Sequence, residues 1–259
     1  MVTREFSRPP LEIMRGSLQS VPMNPPDWLT DPMFRNVYET ICRKQAPDIA
    51  YDAWLDHWFG RPVLTQNFPW FEDVPDTIFR PAMAFSYGYR LFNNSARDLE
   101  RFSDDQVGAG MWLLMTDDDI NLAWPDIPIA EREACILAIT SLFRDLFAQR
   151  CAPRLSDGPR EYTLLNGSCY MWWEYFTHIA FPGDPNFQRL MGACWRVMEE
   201  TLYIPHVAVQ ESALHGLGHS THNDRQRVET IIDRWRSKHS DSDAELLAYA
   251  GWARGGCIQ

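Results

Sequence analysis

The chain has 259 residues, of which 45% are hydrophobic and 13% aromatic, so it carries enough apolar side chains to bury a large core. Its formal net charge of −11 would repel a phosphate backbone, and we expect no nucleic-acid partner. No apolar run approaches the roughly 18–20 residues needed to span a bilayer, and the charged N-terminus lacks the apolar stretch of a secretory signal. We therefore expect a globular protein of the cytoplasm with no membrane contact.

The sequence predicts a succession of amphipathic helices, with almost no alternating strand pattern. Ser103 and Gln106 form a capping-box pattern before one helix. Ser242 and Glu245 repeat that pattern before the last helix, and Asp184 is expected to cap another. In chain order, helices are predicted from Thr30 or Asp31 to Lys44 and over 48–59, 76–93, 95–102, 103–116, 129–150, 166–179, 185–202, 206–219, 224–238 and 243–254.

The predicted fold class is all-α. Short connections make successive helices pack as antiparallel pairs, which gives either a HEAT-like α-solenoid or an irregular multi-helix bundle. We expect a single domain over 1–259. The alternative is two lobes, 1–150 and 165–259, joined by a linker at 151–164, because that stretch combines proline, glycine and polar residues.

Residues 205–238 contain a short helix with small residues, "ALHGLGH", then a polar turn and an amphipathic helix whose apolar positions include Val228 and Trp235. This stretch resembles one repeat of the HEAT-like α-helical repeat proteins, and it is also similar to bacterial proteins that end in a helix pair of this kind. The resemblance implies a fold of stacked helices and implies no chemistry.

Acidic residues are concentrated between Glu100 and Glu133, where nine acidic residues and two arginines give a local net charge of −7. The run Asp117, Asp118 and Asp119 lacks the glycine and the distal acid of a calcium loop. The simpler interpretation, which we favour for these aspartates, is an exposed and solvated acidic face kept for solubility. The functional alternative is a surface formed by these aspartates and Trp124 that contacts a protein partner with a basic surface.

The stretch "NGSCYMWWEYFTH" at 166–178 carries five aromatic side chains. They point to nearly every side of a helix, which is typical of a helix at the centre of a fold. The alternative is an aromatic wall along a groove, in which Trp172 and Tyr175 would contact a partner.

Glu211, His215 and His219 are spaced by four residues and therefore form a stripe along one helix. Two imidazoles at this spacing can bind one zinc ion, with a third ligand from Glu211 or from a distant carboxylate. His222 is expected to lie beyond the end of the helix, which Ser220 and its polar neighbours indicate. We favour a packing role for this stripe, in which Gly216 and Gly218 let a neighbouring helix approach closely, and the metal site is the alternative.

The sequence thus favours a non-enzymatic protein-interaction module of a bacterial cytoplasm, for example an immunity or antitoxin-like inhibitor. No glycine-rich phosphate loop and no GxSxG nucleophile elbow is present, and we expect no cofactor. The alternative is a metal-dependent enzyme or metal-binding helical protein that uses Glu211, His215 and His219 to hold zinc or another divalent metal ion.

Overall fold

The computed structural model describes residues 50–62, 81–116, 127–154, 163–176, 180 and 184–258. Within these ranges every secondary-structure element is a helix and there is no strand, so the predicted all-α class is confirmed. The helix predicted from Thr30 or Asp31 lies outside the described residues. So does the segment 117–126, which contains the three consecutive aspartates and Trp124.

Nine α-helices of nine residues or more make up the described part of the chain. They are α1 (Tyr51–Phe59), α2 (Pro81–Asp98), α3 (Asp104–Thr116), α4 (Ile129–Leu142), α5 (Leu164–Phe176), α6 (Phe187–Leu202), α7 (Val207–His219), α8 (Arg225–Lys238) and α9 (Ala244–Gly255). A π-helical turn, Phe143–Phe147, and the short segment Ala148–Arg150 continue α4, and a 3-10 turn, Ser220–His222, follows α7. None of the described helices combines the length and the apolar character needed to cross a membrane.

The helix boundaries follow the start signals in the sequence, with a few shifts. The capping box before α3 is present: the Ser103 backbone N–H donates to the Gln106 side chain at 3.1 Å, and the Gln106 N–H donates to the Ser103 hydroxyl at 3.2 Å. The break predicted after residue 93 corresponds to a kink in α2 at Asn94, whose φ of −131° is not helical. The chain forms turns, and not a helix, after Asp98.

Two of the predicted helix caps were assigned to the wrong residue, by one or two positions along the chain. Asp243, and not Ser242, caps α9, because its carboxylate accepts from the backbone N–H groups of Glu245 and Leu246 and also pairs with Arg154. A carboxylate is the stronger acceptor at a helix N-terminus.

Asp184 accepts from the backbone N–H of Asn186 at 2.7 Å, but α6 begins only at Phe187. The same Asp184 side chain forms a buried ion pair with Arg132 on α4, at 2.5 Å. The N-cap position of α6 is occupied by Asn186, whose side chain makes no capping hydrogen bond.

The helices pack in two rows, with alternate helices adjacent to each other. The main contacts along one row join α1 to α3, α3 to α5, α5 to α7 and α7 to α9, and those along the other join α2 to α4 and α4 to α6. Helix α7 also packs against α6 and, through fewer contacts, α8. As a result, α5 and α9 both pack against α7. Side chains from these three helices, which are distant from one another in the sequence, therefore meet around α7.

Aromatic rings fill much of the core, and the prediction that 166–178 forms a central helix is confirmed for α5. Trp173 stacks on Phe143 with ring centroids 5.8 Å apart, and Trp172 meets Phe92 edge to face at the same separation. Both tryptophans have no accessible surface, and burying a large apolar side chain stabilises a fold by about 1.5–3 kcal/mol. The predicted partner contact through Trp172 is therefore not available in this structure, because the side chain belongs to the core.

Candidate metal centre

Three potential metal ligands converge between α5 and α7. The Nε2 atoms of His215 and His219 lie 3.1 Å apart. The Glu174 Oε2 atom lies 3.5 Å from the His215 Nε2 and 3.8 Å from the His219 Nε2. One nitrogen or oxygen from each side chain therefore points into a common space, and these three atoms all lie within 4.8 Å of one another.

The local sequence explains why α5 comes so close to α7. Gly216 lies against Trp173 of α5, where a Cβ atom on the glycine would sit 2.5 Å from the Cβ of the tryptophan. On the other side of α7, Gly218 lies against Ile258 and Ala253. The predicted packing role of the two glycines is therefore confirmed, and the same close approach brings Glu174 within reach of the two histidines.

The distances between the three atoms match those of a transition-metal site. Zinc binds imidazole nitrogen at about 2.0–2.1 Å and carboxylate oxygen at about 2.0–2.2 Å, so two ligands of a tetrahedral ion lie about 3.3–3.5 Å apart. The observed separations of 3.1, 3.5 and 3.8 Å bracket that value. An ion could thus be accommodated with movements of a few tenths of an ångström, which rotations of the partly exposed Glu174 and His219 side chains can supply.

Burial prepares His215 to act as a ligand. Desolvation, reinforced by the nearby His219, lowers the pKa of His215 to about 4, although the Glu174 carboxylate acts in the opposite direction. The His215 imidazole is therefore neutral near pH 7 and keeps one nitrogen lone pair available for a metal ion. The His215 side chain is 1% exposed, whereas those of His219 and Glu174 are 35% and 39% exposed. The site thus has one deeply buried ligand and two ligands open to solvent.

The second ring nitrogen of His215 has its own partner. Its Nδ1 lies 2.9 Å from the hydroxyl of Tyr249 on α9, and that hydroxyl lies 2.8 Å from the hydroxyl of Tyr170 on α5. The Tyr170 ring also packs against the imidazole, with centroids 4.2 Å apart. Desolvation is the main cause that raises the pKa of both tyrosines, so both hydroxyls stay protonated.

The structure brings together two of the three residues predicted as metal ligands. Glu211 is buried on α7, but its carboxylate is not part of the cluster, and Glu174 occupies the position of the third ligand. The reason is geometric: a carboxylate on the same straight helix stands two turns from His219, whereas Glu174 approaches both imidazoles from a neighbouring helix. One sequence signal was available, because Glu174 is the only charged residue in α5.

Among the remaining candidate residues that the structure describes, neither His222 nor Tyr175 supplies a ligand atom to this cluster. His222 is exposed in the 3-10 turn after α7, as expected, and its Nδ1 lies 2.6 Å from the carbonyl oxygen of His219. Tyr175 is partly buried and packs against Trp112, with ring centroids 5.2 Å apart. Its predicted role in binding a partner stays a prediction. The residues Asp117, Asp118, Asp119 and Trp124 lie outside the described residues.

No family model, no curated protein and no solved structure matches this chain. The chemistry of the site itself therefore carries the functional argument.

Proposed function

We propose that this protein binds a divalent transition-metal ion through Glu174, His215 and His219, and that zinc is the ion it suits best. The observation that carries the proposal is the convergence of two imidazole Nε2 atoms and one carboxylate oxygen within 4.8 Å. Two imidazoles favour zinc and other borderline metals over magnesium and calcium, which prefer sites made of oxygen atoms.

The exposure of two of the proposed ligands also supports an ion that solvent can reach. The described residues supply three potential protein ligands, and two of these side chains, those of His219 and Glu174, are 35% and 39% exposed to solvent. Three protein ligands with one position left for water is the arrangement of catalytic zinc sites, whereas structural sites are closed by four ligands. The proposal is therefore a metal-binding helical protein with an ion open to Lewis-acid or hydrolytic chemistry.

The test is metal binding by protein purified without an affinity tag. After dialysis against a chelator, isothermal titration with zinc chloride and elemental analysis should give one zinc ion per chain. We expect His219→Ala and Glu174→Gln each to weaken binding by at least about tenfold, because each removes one of three ligands. Far-UV circular dichroism checks that these partly exposed positions tolerate the change.

His57→Gln is the matched control, because His57 is a partly buried histidine on α1 with no part in the cluster. Its zinc affinity should equal that of the unaltered protein. An unaltered protein that takes up no zinc would overturn the proposal. So would zinc binding that is indifferent to the substitutions at His219 and Glu174.

A second proposal, independent of the metal, is that the acidic segment contacts a basic protein partner in a bacterial cytoplasm, as an immunity or antitoxin-like inhibitor would. Its support is the local balance of −7 between Glu100 and Glu133, within which Glu100, Asp105 and Glu131 are exposed. Pairing within the molecule offsets part of this charge, since Arg150 lies 2.6 Å from Asp104.

The packing of alternate helices in two rows supports a HEAT-like arrangement, which commonly presents extended surfaces to partners. The test of the partner proposal is a pull-down at increasing salt concentration, with Asp117, Asp118 and Asp119 changed to Asn. Salt-sensitive capture that is lost in the variant supports the acidic surface, and capture that the variant retains in full contradicts it.

A further inference from the structure

We infer that Tyr249 is a positioning residue of the metal site: its hydroxyl oxygen accepts a hydrogen bond from Nδ1–H of His215 and so directs the Nε2 lone pair of His215 at the metal ion. The inference rests on the proposed metal function. It assigns to α9 a part in the site, although none of the three ligands lies on that helix.

His215, Tyr249 and Tyr170 share a fixed number of protons. A neutral imidazole carries one ring proton, and each tyrosine hydroxyl carries one. A metal ion needs the lone pair of His215 Nε2, so the ring proton must then reside on Nδ1. The acceptor for that proton is the Tyr249 oxygen, 2.9 Å away.

The hydroxyls of Tyr249 and Tyr170 form a hydrogen bond whose direction depends on the His215 proton. When Tyr249 accepts from His215, its own proton is free to be donated to the Tyr170 oxygen, 2.8 Å away. The three groups then form one continuous chain of hydrogen bonds that begins at Nδ1–H of His215.

Glu174 and His219 lie beside the Nε2 atom of His215, on the side of the ring opposite Tyr249. Glu174 Oε2 lies 3.5 Å from Nε2, a longer separation than the 2.9 Å between Nδ1 and Tyr249. A separation of 3.5 Å is at the limit of a hydrogen bond, so Glu174 competes only weakly for a proton on Nε2, whereas Nδ1–H has the Tyr249 oxygen as an acceptor before a metal binds. The His219 Nε2, at 3.1 Å, can then donate its own proton to the His215 lone pair until an ion displaces it.

Partners behind a metal-bound imidazole orient its ring and typically change metal affinity by about 10–100-fold when removed. We therefore expect Tyr249→Phe, which deletes only the hydroxyl, to weaken zinc binding by about 10–100-fold. Tyr170→Phe leaves the acceptor on His215 intact and should have a clearly smaller effect. Tyr203→Phe is the matched control, because Tyr203 is an exposed tyrosine beside His239 and away from the cluster.

The experiment combines zinc titration with nitrogen-15 NMR of protein labelled at histidine, which reads the tautomer of His215 directly. We expect Nδ1–H in the metal-free unaltered protein and a shift toward Nε2–H in Tyr249→Phe. A merely structural role for Tyr249 would leave the tautomer unchanged. A zinc titration of the unaltered protein that shows no binding overturns the proposed function, whereas the tautomer in the metal-free protein tests the role of Tyr249 separately.

Two results would overturn the inference. One is an Nε2–H tautomer of His215 in the metal-free unaltered protein. The other is a Tyr249→Phe variant with the zinc affinity and the His215 tautomer of the unaltered protein.

Discussion

Two histidines in this protein have similarly lowered pKa values but different neighbours. Desolvation is the main cause that lowers the pKa of both His57 and His215 to about 4, so both imidazoles are neutral near pH 7. The Nε2 of His57 lies 3.3 Å from a guanidinium nitrogen of Arg61, whereas that of His215 faces His219 and Glu174. A lowered pKa therefore marks a neutral ring in both places, and the sign of the neighbouring charge decides which ring can bind a cation.

The largest expected effect comes from placing a cation in the proposed metal centre, as Arg61 is placed beside His57. Glu174→Arg replaces a ligand of the proposed ion with a cation held beside the two imidazoles. Zinc affinity should fall by about 1000-fold or more, because one ligand is lost and like charges at about 4 Å repel strongly in a partly buried site. Isothermal titration with zinc measures the effect.

The reverse change supplies the control. Arg61→Glu puts a carboxylate beside His57, but a single imidazole and one carboxylate should not hold zinc with measurable affinity. Equal zinc affinity for Glu174→Arg and the unaltered protein would contradict the interpretation of the cluster. Tight binding created by Arg61→Glu would contradict the reasoning that a pair of imidazoles is required.

The next effect is on stability. A ligand that binds only the folded state at about 100 times its dissociation constant stabilises that state by about 2.7 kcal/mol. For a chain of this size we expect zinc to raise Tm by about 5–10 °C, as measured by thermal unfolding followed by circular dichroism. His57→Gln should keep the full shift and His219→Ala should lose most of it. A shift of equal size in both variants would place the ion elsewhere in the protein.

Most helices, and two of the three proposed ligands, could be predicted from local sequence. Spacing by four residues placed His215 and His219 side by side on α7, and Ser103 with Gln106 marked the start of α3. These features depend on atoms within one or two helical turns, so they require no knowledge of the tertiary structure.

The third ligand could not be predicted in the same way. Glu174 and Tyr249 lie 41 and 34 residues from His215 along the chain, and they reach it only because α5 and α9 pack against α7. The order in which helices pack depends on the shape of the whole core, which no local pattern encodes. Glu211 was the better candidate by spacing alone, and the packing of α5 made Glu174 the actual neighbour.

A smaller effect is expected from substituting one glycine in each of the two regions. Gly216 faces Trp173 beside the metal centre, and Gly110 faces the ring of Phe59, next to the His57 region, with similarly little room for a Cβ atom. Alanine at either position should lower the free energy of unfolding by about 1–3 kcal/mol, because the ring must move to make space. Urea unfolding measures both costs.

Zinc affinity should distinguish the two glycine variants. Gly216→Ala pushes α5, which carries Glu174, away from α7, so that zinc binding weakens. Gly110→Ala disturbs only the contact between α1 and α3 and should leave zinc affinity unchanged. Equal zinc affinity in the two variants would show that the close approach at Gly216 has no part in forming the site.

The smallest expected effect concerns acid stability and belongs to His57. The pKa of His57 is about 4 in the folded state and about 6.5 in the unfolded state, so between these values the unfolded chain takes up the proton first. The stability contributed by the neutral ring is therefore complete above pH 6.5 and is lost as the pH falls toward 4. Because His57 is only partly buried, we expect about 1 kcal/mol. Urea unfolding of the unaltered protein and of His57→Gln at pH 7 and pH 4.5 measures it as the difference between their two pH dependences. Identical pH dependences would mean that the ring is as free to take up a proton in the folded protein as in the unfolded chain, and the resemblance between the two histidine environments would then be lost.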